Sequence, residues 1–211
     1  MLPRLYAILD VDTVGARGLE PLTVLRDWLD AGVRVIQVRA KHLTFGPLLA
    51  LAGEMAADCR RAGAIFIVND RVDVAQLAGA DGVHVGQDDL SPEQARAQMP
   101  DAPWIGLSTH SDAQLARGLA SPATYLAIGP VFATTSKERP DPEIGLGGVR
   151  RLSAAARGGG RPVVAIGGVT LATAADVLAA GADSVAVISD LLGPSGDVAA
   201  RARAFLRAVG S

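Results

Sequence analysis

The amino-acid sequence predicts an α/β protein built as a single (β/α)8 TIM barrel. Eight short apolar runs occur in the 211 residues, and each is followed by a stretch with a helical pattern. Their mean spacing of about 26 residues is what one strand, one helix and two short loops require. Several runs are almost wholly apolar, as in strands that are buried on both faces. An open doubly wound sheet is the alternative, but the sequence lacks a dinucleotide-binding fingerprint.

The apolar runs define the eight expected strands. They are rich in aliphatic and β-branched residues, which favour strands. No linker rich in proline, glycine or serine interrupts the series, so we expect one domain over residues 1–211. In chain order the predicted strands are Leu5–Leu9, Val33–Val38, Ala64–Val68, Gly82–Val85, Trp104–Leu107, Tyr125–Ile128, Val163–Ile166 and Ser184–Ile188.

The residues between the runs predict where the helices begin and end. Ser91 with Gln94, and Ser111 with Gln114, have the spacing of a capping box. Thr170 is the predicted cap of a helix that runs to Ala180. An Ala-Gly pair precedes four of the strands, and glycine is favoured where a helix ends. The four glycines are Gly32, Gly63, Gly79 and Gly181.

Composition excludes several classes of protein. Lys and Arg number 20 against 22 Asp and Glu, and the net charge of -2 provides no basic excess for nucleic acid. No stretch of about 18 apolar residues occurs, so we expect no membrane span and no membrane partner. The single cysteine, Cys59, excludes an internal disulfide framework and fits a reducing, cytoplasmic location. Small molecules are the expected partners, and a homo-oligomer stays open.

Three polar side chains share one face of the second predicted strand. Side chains alternate along a strand, which puts Gln37, Arg39 and Lys41 on the same side. Active sites of barrels lie at the C-terminal ends of the strands, so these side chains meet at the barrel mouth. If this face points inward, as we expect, two cations beside an amide favour a phosphorylated substrate. A solvent-exposed strand end with ordinary ion pairs is the alternative.

Carboxylates follow the third and fourth strands. Asp70 comes directly after Asn69, and Asp89 follows the fourth strand. Carboxylates from adjacent strand ends can share Mg²⁺, which binds oxygen ligands and bridges phosphates. Alternatively, Asp70 caps the helix that begins after it. Ser108 follows the fifth strand, where entry into a helix explains a serine equally well.

The connection after the sixth strand is longer than barrel loops usually are. Such length favours a functional loop or a lid, and a flexible surface loop is the alternative. The hydroxyls of Thr134 and Ser136 precede Lys137, so this segment can wrap a phosphate. We therefore expect these residues to take part in binding.

A second anionic site is predicted beside the last two strands. Gly168 follows strand seven, where glycines let the backbone approach a ligand and a helix opening at once would favour an anion. Ile188 and Ser189 follow strand eight. The loops after strands seven and eight form the recurrent phosphate site of barrels. A substrate pair carrying a pyrophosphate and a phosphate would match the two sites.

Taken together, these motifs resemble the thiamine phosphate synthase family. The resemblance covers the chain from Leu5 to about Leu192. Members of this family join an aminopyrimidine methyl pyrophosphate to a thiazole phosphate and release pyrophosphate. The motifs are Gln37-x-Arg39-x-Lys41, Ile67–Asp70, Asp81–Asp89, Gly129–Phe132, Thr134-x-Ser136-Lys137 and Ala165–Gly168.

The resemblance implies roles for individual residues. Arg39 and Lys137 would stabilise the charge of the departing pyrophosphate, and Asp70 and Asp89 would ligate Mg²⁺. Pyrophosphate would leave first, and the thiazole nitrogen would then attack the pyrimidine methylene cation. The pyrimidine substrate would be held by Gln37, Arg39, Lys41, Asn69, Ser108 and Lys137, and the thiazole phosphate by Thr134, Ser136, Gly168, Ile188 and Ser189.

Two other functions stay open. A related thiazole tautomerase lacks the groups that bind pyrophosphate. The segment Gln87-Asp88-Asp89 after the fourth strand therefore favours the synthase. A non-catalytic phosphate-metabolite sensor on the same fold would not need paired carboxylates together with a lysine-bearing loop. The chain also departs from the family at Ala40, where members often carry an acidic residue. Alternation places Ala40 on the face opposite Arg39.

Overall fold

Eight parallel strands close into a barrel in chain order, and the last strand pairs with the first. This architecture comes from a computed structural model that describes residues 2–134, 141–194 and 196–210. The predicted fold class is confirmed, and the predicted strand bounds differ by two residues at most. The strands are β1 (Leu5–Asp10), β2 (Val35–Arg39), β3 (Ile65–Asn69), β4 (Gly82–Val85), β5 (Trp104–Thr109), β6 (Tyr125–Ile128), β7 (Val163–Ile166) and β8 (Ser184–Val187).

Helices follow the strands and surround the barrel. Each of the four glycines that precede a strand has a positive φ, as predicted for positions where helices end. None of the helices in the described ranges is long and apolar enough to cross a membrane. The α-helices are α1 (Val11–Ala16), α2 (Pro21–Ala31), α3 (Phe45–Arg61), α4 (Val72–Ala78), α5 (Pro92–Gln98), α6 (Asp112–Ala120), α7 (Gly145–Gly158), α8 (Ala174–Ala179) and α9 (Val198–Val209), and a 3₁₀ helix covers Ser189–Leu192.

Of the two predicted capping boxes, one forms fully and the other in part. Ser91 accepts a hydrogen bond from Gln94 N, and the Gln94 side chain accepts one from Ser91 N. Ser111 likewise accepts from Gln114 N. The Gln114 side chain, however, accepts from His110 N instead of Ser111 N. At this second helix start, the Gln114 side chain therefore binds the backbone N–H one residue before the predicted one.

The helix predicted to begin at Thr170 begins later. The first helical residue of α8 is Ala174, and Thr173 Oγ1 accepts a hydrogen bond from Thr170 N. Asp190 accepts a hydrogen bond from Leu171 N at 2.7 Å, which ties this segment to the end of β8. A tertiary contact thus replaces the first predicted turn of helix.

Strand alternation divides the apolar core into two layers. On β2, Ile36 and Val38 belong to the larger cluster between the strands and the helices. Val35 belongs to a smaller cluster inside the barrel. This inner cluster also contains the two tyrosines, Tyr6 and Tyr125, both almost fully buried. The inner cluster fills the barrel interior away from the C-terminal ends of the strands. Toward those ends, polar side chains line the interior.

Candidate active site

A cavity of about 450 Å³ opens at the C-terminal ends of the strands. Barrel enzymes place their chemistry at this end. The inward alternation predicted for β2 is confirmed, because Gln37 and Arg39 both line the cavity. The sequence-predicted residues that line it are Gln37, Arg39, Asn69, Ser108, Thr134, Gly168, Ile188 and Ser189.

Arg39 is held in place by a carboxylate that sequence reasoning did not single out. Asp10 is its direct neighbour in the pairing of β1 with β2, and the two side chains form an ion pair. Asp10 is only 3% exposed and also accepts from Thr13 N at 2.8 Å and Thr13 Oγ1 at 2.6 Å. Its position at the inward-facing end of β1 was the available signal.

The pKa of Asp10 reflects opposing effects. Burial raises this pKa, but hydrogen bonds from Thr13 and Arg39, with the Arg39 charge, outweigh burial and hold it below its usual value. Asp10 therefore stays ionised at neutral pH. The stability that these contacts contribute is present above the unfolded-state pKa of about 3.9 and is lost as the pH falls through the lower folded value.

Asp70 adopts a strained backbone conformation at the end of β3. Its φ is 62°, the one positive value among the described residues other than glycine. Such a conformation is uncommon outside glycine and is concentrated at functional sites. Helix α4 begins at Val72 with Arg71 as its N-cap, and no side chain provides a capping bond. The alternative that Asp70 caps this helix is therefore wrong.

The carboxyl group of Asp70 forms a hydrogen bond with that of Asp89. Burial, and then the charge and hydrogen bond of Asp89, raise the pKa of Asp70 to about 6 against the lowering effect of Lys41 and Arg39. Asp89 Oδ2 also accepts from Gly86 N at 2.8 Å. The structure thus brings together the two carboxylates that the sequence predicted, beside the predicted cations.

This carboxylate pair has the chemistry of a partial Mg²⁺ site. Within residues 2–134, 141–194 and 196–210, no group of three or more His, Cys, Asp or Glu side chains forms a complete protein cage for a metal. Mg²⁺ is commonly bound through one or two carboxylates, with waters and substrate phosphates as the other ligands. The two carboxylates provide oxygen ligands and repel each other, so the pair fits such a cation.

Ser108, at the end of β5, lines the cavity and contacts a histidine. Ser108 Oγ lies 2.8 Å from His84 Nε2, and His84 Nδ1 lies 3.0 Å from the Tyr125 hydroxyl. Both ring nitrogens of His84 thus have a hydrogen-bond partner. The sequence did not predict that His84 and Tyr125 line the same cavity.

The predicted phosphate side is built from two backbone segments in close contact. Gly168 has a φ of 64°, and a Cβ atom there would lie 2.4 Å from the Ala133 carbonyl oxygen. The segment after β8 contributes Ile188 and the exposed Ser189. No helix opens directly after Gly168, contrary to prediction, because α8 begins at Ala174.

Part of the predicted loop is not among the described residues. Thr134 lines the cavity. Ser136 and Lys137 lie outside the described residues, so their predicted roles stay predictions. Lys41 and the two carboxylates lie beside the cavity and not in its wall. Ala40 packs against the outer core cluster, on the face opposite Arg39 as predicted.

Comparison with known proteins identifies the family. Residues 5–191 match the sequence profile described as thiamine monophosphate synthase. The chain belongs to the thiamine monophosphate synthase family. It is 46% identical over 201 residues to the thiamine-phosphate synthase of Methanoculleus marisnigri, which covers 95% of this chain and 92% of the relative.

Further relatives agree with the thiamine monophosphate synthase assignment. A thiamine-phosphate synthase of Koribacter versatilis is 45% identical over 196 residues, which is 90% of either chain. A solved thiamine phosphate pyrophosphorylase from Pyrococcus furiosus superimposes with a TM-score of 0.86 at 32% identity, covering 98% of this chain and 95% of the other. The similarity therefore extends over both sequence and fold.

Proposed function

We propose that the chain is a transferase with thiamine-phosphate synthase activity. It joins 4-amino-2-methyl-5-pyrimidinylmethyl diphosphate to 4-methyl-5-(2-phosphoethyl)thiazole, or the carboxylate form of this thiazole, and yields thiamine phosphate and pyrophosphate. The observation that carries this proposal is the Asp70–Asp89 pair beside Arg39 and Lys41, a site suited to pyrophosphate. Family membership supports the same activity and does not favour the tautomerase or the sensor.

The two predicted anionic sites correspond to the two substrates. The pyrimidine diphosphate takes the side of β2 to β5, with Gln37, Asn69 and Ser108 facing the ring. The thiazole phosphate takes the side of β7 and β8, where Gly168 and Ser189 line the same cavity. One shared cavity holds both rings together and so reduces the entropy cost of bringing them into contact.

Enzymes of this family need a metal ion, and we propose Mg²⁺ in this chain. Asp70 and Asp89 would hold it. When bound, the ion supplies Lewis-acid stabilisation of pyrophosphate oxygens. Arg39 supplies a fixed positive charge on the same side, and its ion pair with Asp10 keeps the guanidinium oriented before the substrate arrives.

The proposed reaction breaks the bond between the pyrimidine methylene carbon and the pyrophosphate oxygen. The electron pair leaves with pyrophosphate, where Arg39 and Lys137 stabilise the growing charge. The thiazole nitrogen then donates its electron pair to the methylene cation and becomes the thiazolium nitrogen. No protein group needs to act as a general base in this sequence.

Further proposals concern the whole chain. We propose that residues 1–211 work as one catalytic domain, since all strands of the described residues belong to one closed barrel. The substrates are small molecules. A cytoplasmic location is supported by the single cysteine, which is free and buried.

One assay tests the proposed function. The purified protein is incubated with both substrates and Mg²⁺, and thiamine phosphate and pyrophosphate are quantified. We expect both products in equal amounts, and loss of product when excess chelator is added. Turnover of the thiazole carboxylate phosphate alone to an isomer would support the tautomerase instead. Binding without any turnover would support the sensor.

Replacing Lys137 by Ala should lower kcat by about 10²–10³, the effect of losing one group that stabilises charge in the transition state. Lys41 and Lys137 are the only lysines in the sequence, so an amine-directed reagent should also inactivate the protein, with protection by the pyrimidine diphosphate. Calorimetry should show unchanged affinity of Lys137→Ala for thiazole phosphate. Lost thiazole affinity with intact kcat would contradict the assignment.

A further inference from the structure

An unbroken series of hydrogen bonds joins five residues that all line the cavity. Gln37 Nε2 and the Tyr6 hydroxyl are 2.8 Å apart, and the Tyr6 and Tyr125 hydroxyls are 2.8 Å apart. The Tyr125 hydroxyl lies 3.0 Å from His84 Nδ1, and His84 Nε2 lies 2.8 Å from Ser108 Oγ. We call these five residues the floor chain.

Counting protons gives the floor chain a direction. Burial raises the pKa of both Tyr6 and Tyr125, so each phenol keeps its one proton. Gln37 Nε2 can only donate, so the Tyr125 oxygen is the acceptor available to the buried Tyr6 O–H, which therefore donates to Tyr125. The Tyr125 hydroxyl then donates to His84 Nδ1. A neutral His84 therefore carries its proton on Nε2 and donates it to Ser108 Oγ.

Each end of the floor chain presents a fixed hydrogen-bonding role to the cavity, a donor at one end and an acceptor at the other. Because Ser108 Oγ accepts from His84, its own O–H is left to donate to a ligand. Because Gln37 Nε2 is committed to Tyr6, its Oε1 is left to accept. Arg39 lies on the same face of β2 as Gln37. Its positive charge favours the orientation of the Gln37 amide in which Oε1 is on the side of Arg39.

Gly106 supplies the space that the floor chain needs. A Cβ atom at this position would lie 2.3 Å from His84 Nδ1 and 2.3 Å from the Tyr125 hydroxyl oxygen. Any side chain at 106 would thus displace the hydrogen bond between these two groups. Glycine weakens the interior of a strand, and close approach of other groups is a known reason for it there.

We propose that the floor chain selects the pyrimidine, by presenting an acceptor at Gln37 Oε1 and a donor at Ser108 Oγ. This inference rests on the proposed function. A 4-aminopyrimidine would donate its amino N–H to Gln37 Oε1 and accept from Ser108 Oγ at a ring nitrogen. The 4-oxo analogue places a carbonyl oxygen where the amino group would donate, and so leaves Gln37 Oε1 facing another acceptor. Tyr6, Tyr125 and His84 are positioning residues.

Nitrogen-15 NMR of the imidazoles in the full-length protein tests the direction of the floor chain. The sequence has three histidines, so the His84 signals are identified by their loss in His84→Asn. We expect a proton on Nε2 and none on Nδ1. A proton on Nδ1, or on both nitrogens, would overturn the inference.

Kinetics with two pyrimidine diphosphates test the selection. The unaltered protein should prefer the 4-amino over the 4-oxo substrate by about 10⁴-fold in kcat/KM, the scale for sites that hydrogen-bond a substrate N–H. Tyr125→Phe should reduce this preference by at least about tenfold, through a higher KM for the aminopyrimidine. The KM for thiazole phosphate should stay within about twofold. Tyr6→Phe interrupts the floor chain at another bond and provides a second variant if Tyr125→Phe does not fold.

Phe66→Leu is the matched control. Phe66 is buried in the outer core cluster, so its truncation destabilises the barrel without touching the floor chain. It should keep the preference for the 4-amino ring. Equal loss in Phe66→Leu and Tyr125→Phe, or no loss in Tyr125→Phe, would overturn the inference and leave the proposed function intact. If the unaltered protein makes no thiamine phosphate, the proposed function fails and the selection with it, while NMR still reports the tautomer.

Discussion

Asn in place of Asp70 should lower kcat/KM by about 10²–10³ and, at the same time, make the substrate-free protein more stable. The loss of activity follows from removing one of the two carboxylates proposed to hold Mg²⁺, a group needed to stabilise charge in the transition state. The backbone should tolerate the change, because Asn and Asp both adopt the left-handed conformation that Asp70 shows.

The gain in stability has a defined sign and pH range. The pKa of Asp70 is raised to about 6 in the folded protein by burial and by Asp89. Its ionisation therefore opposes folding increasingly between the unfolded value of about 3.9 and pH 6. Because Asp70 is partly exposed, solvent screening reduces the effect. The gain in the free energy of unfolding for Asp70→Asn above pH 6 should therefore be about 1–2 kcal/mol. The gain should shrink as the pH falls toward 4.

Denaturant unfolding at several pH values and steady-state kinetics measure the two effects. Asp73→Asn is the matched control on the following helix. The pKa of Asp73 is lowered by its hydrogen bond with Arg71, so this variant should be slightly less stable and fully active. An Asp70→Asn protein that is active and less stable would contradict both the metal role and the repulsion between the carboxylates.

Arg39→Ala should lower kcat/KM by about 10³ or more, because it removes a charge-stabilising donor for pyrophosphate. It should also destabilise the protein, since Asp10 would remain buried without its ionic partner. Breaking a buried pair costs about 3–5 kcal/mol, and the partial exposure of Arg39 puts the expected loss below that range. These two effects need to be separated.

The double variant Arg39→Ala with Asp10→Asn separates catalysis from stability. Removing the unpaired charge should recover much of the unfolding free energy without recovering activity. Arg26→Ala serves as a control, because Arg26 is exposed on α2, pairs with Asp58 on α3 and does not line the cavity. If the double variant regained activity together with stability, Arg39 would be a structural residue only.

Strand alternation accounts for the part of the site that could be predicted. Whether Gln37 and Arg39 face inward depends only on period-two geometry and on which face of β2 is inside, and both follow from the local sequence. The acidic pair was predictable for a related reason, since parallel strand ends meet at one edge of the barrel. These features need no knowledge of how distant segments fit together.

The contacts that complete the site depend on distant segments and were not predictable. Tyr6 and Tyr125 are separated by 119 positions in the sequence, and their hydrogen bond requires a closed barrel with the correct register. The start of α8 was wrongly predicted because Asp190 binds Leu171 N, a contact that no local cap signal reveals. The left-handed backbone of Asp70 was likewise not predicted, since Asp adopts this conformation only at single positions that the local sequence does not mark.

Pairing of the first strand with the last has a consequence for how the protein is made. Leu5 pairs with Val185, so β1 cannot complete its hydrogen bonds until most of the chain has left the ribosome. Arg201 in α9, whose Nη2 donates to both carboxylate oxygens of Asp190, emerges later still. Contacts of such high sequence separation slow folding. During synthesis, the unpaired edge of β1 is therefore the surface that a chaperone would need to shield.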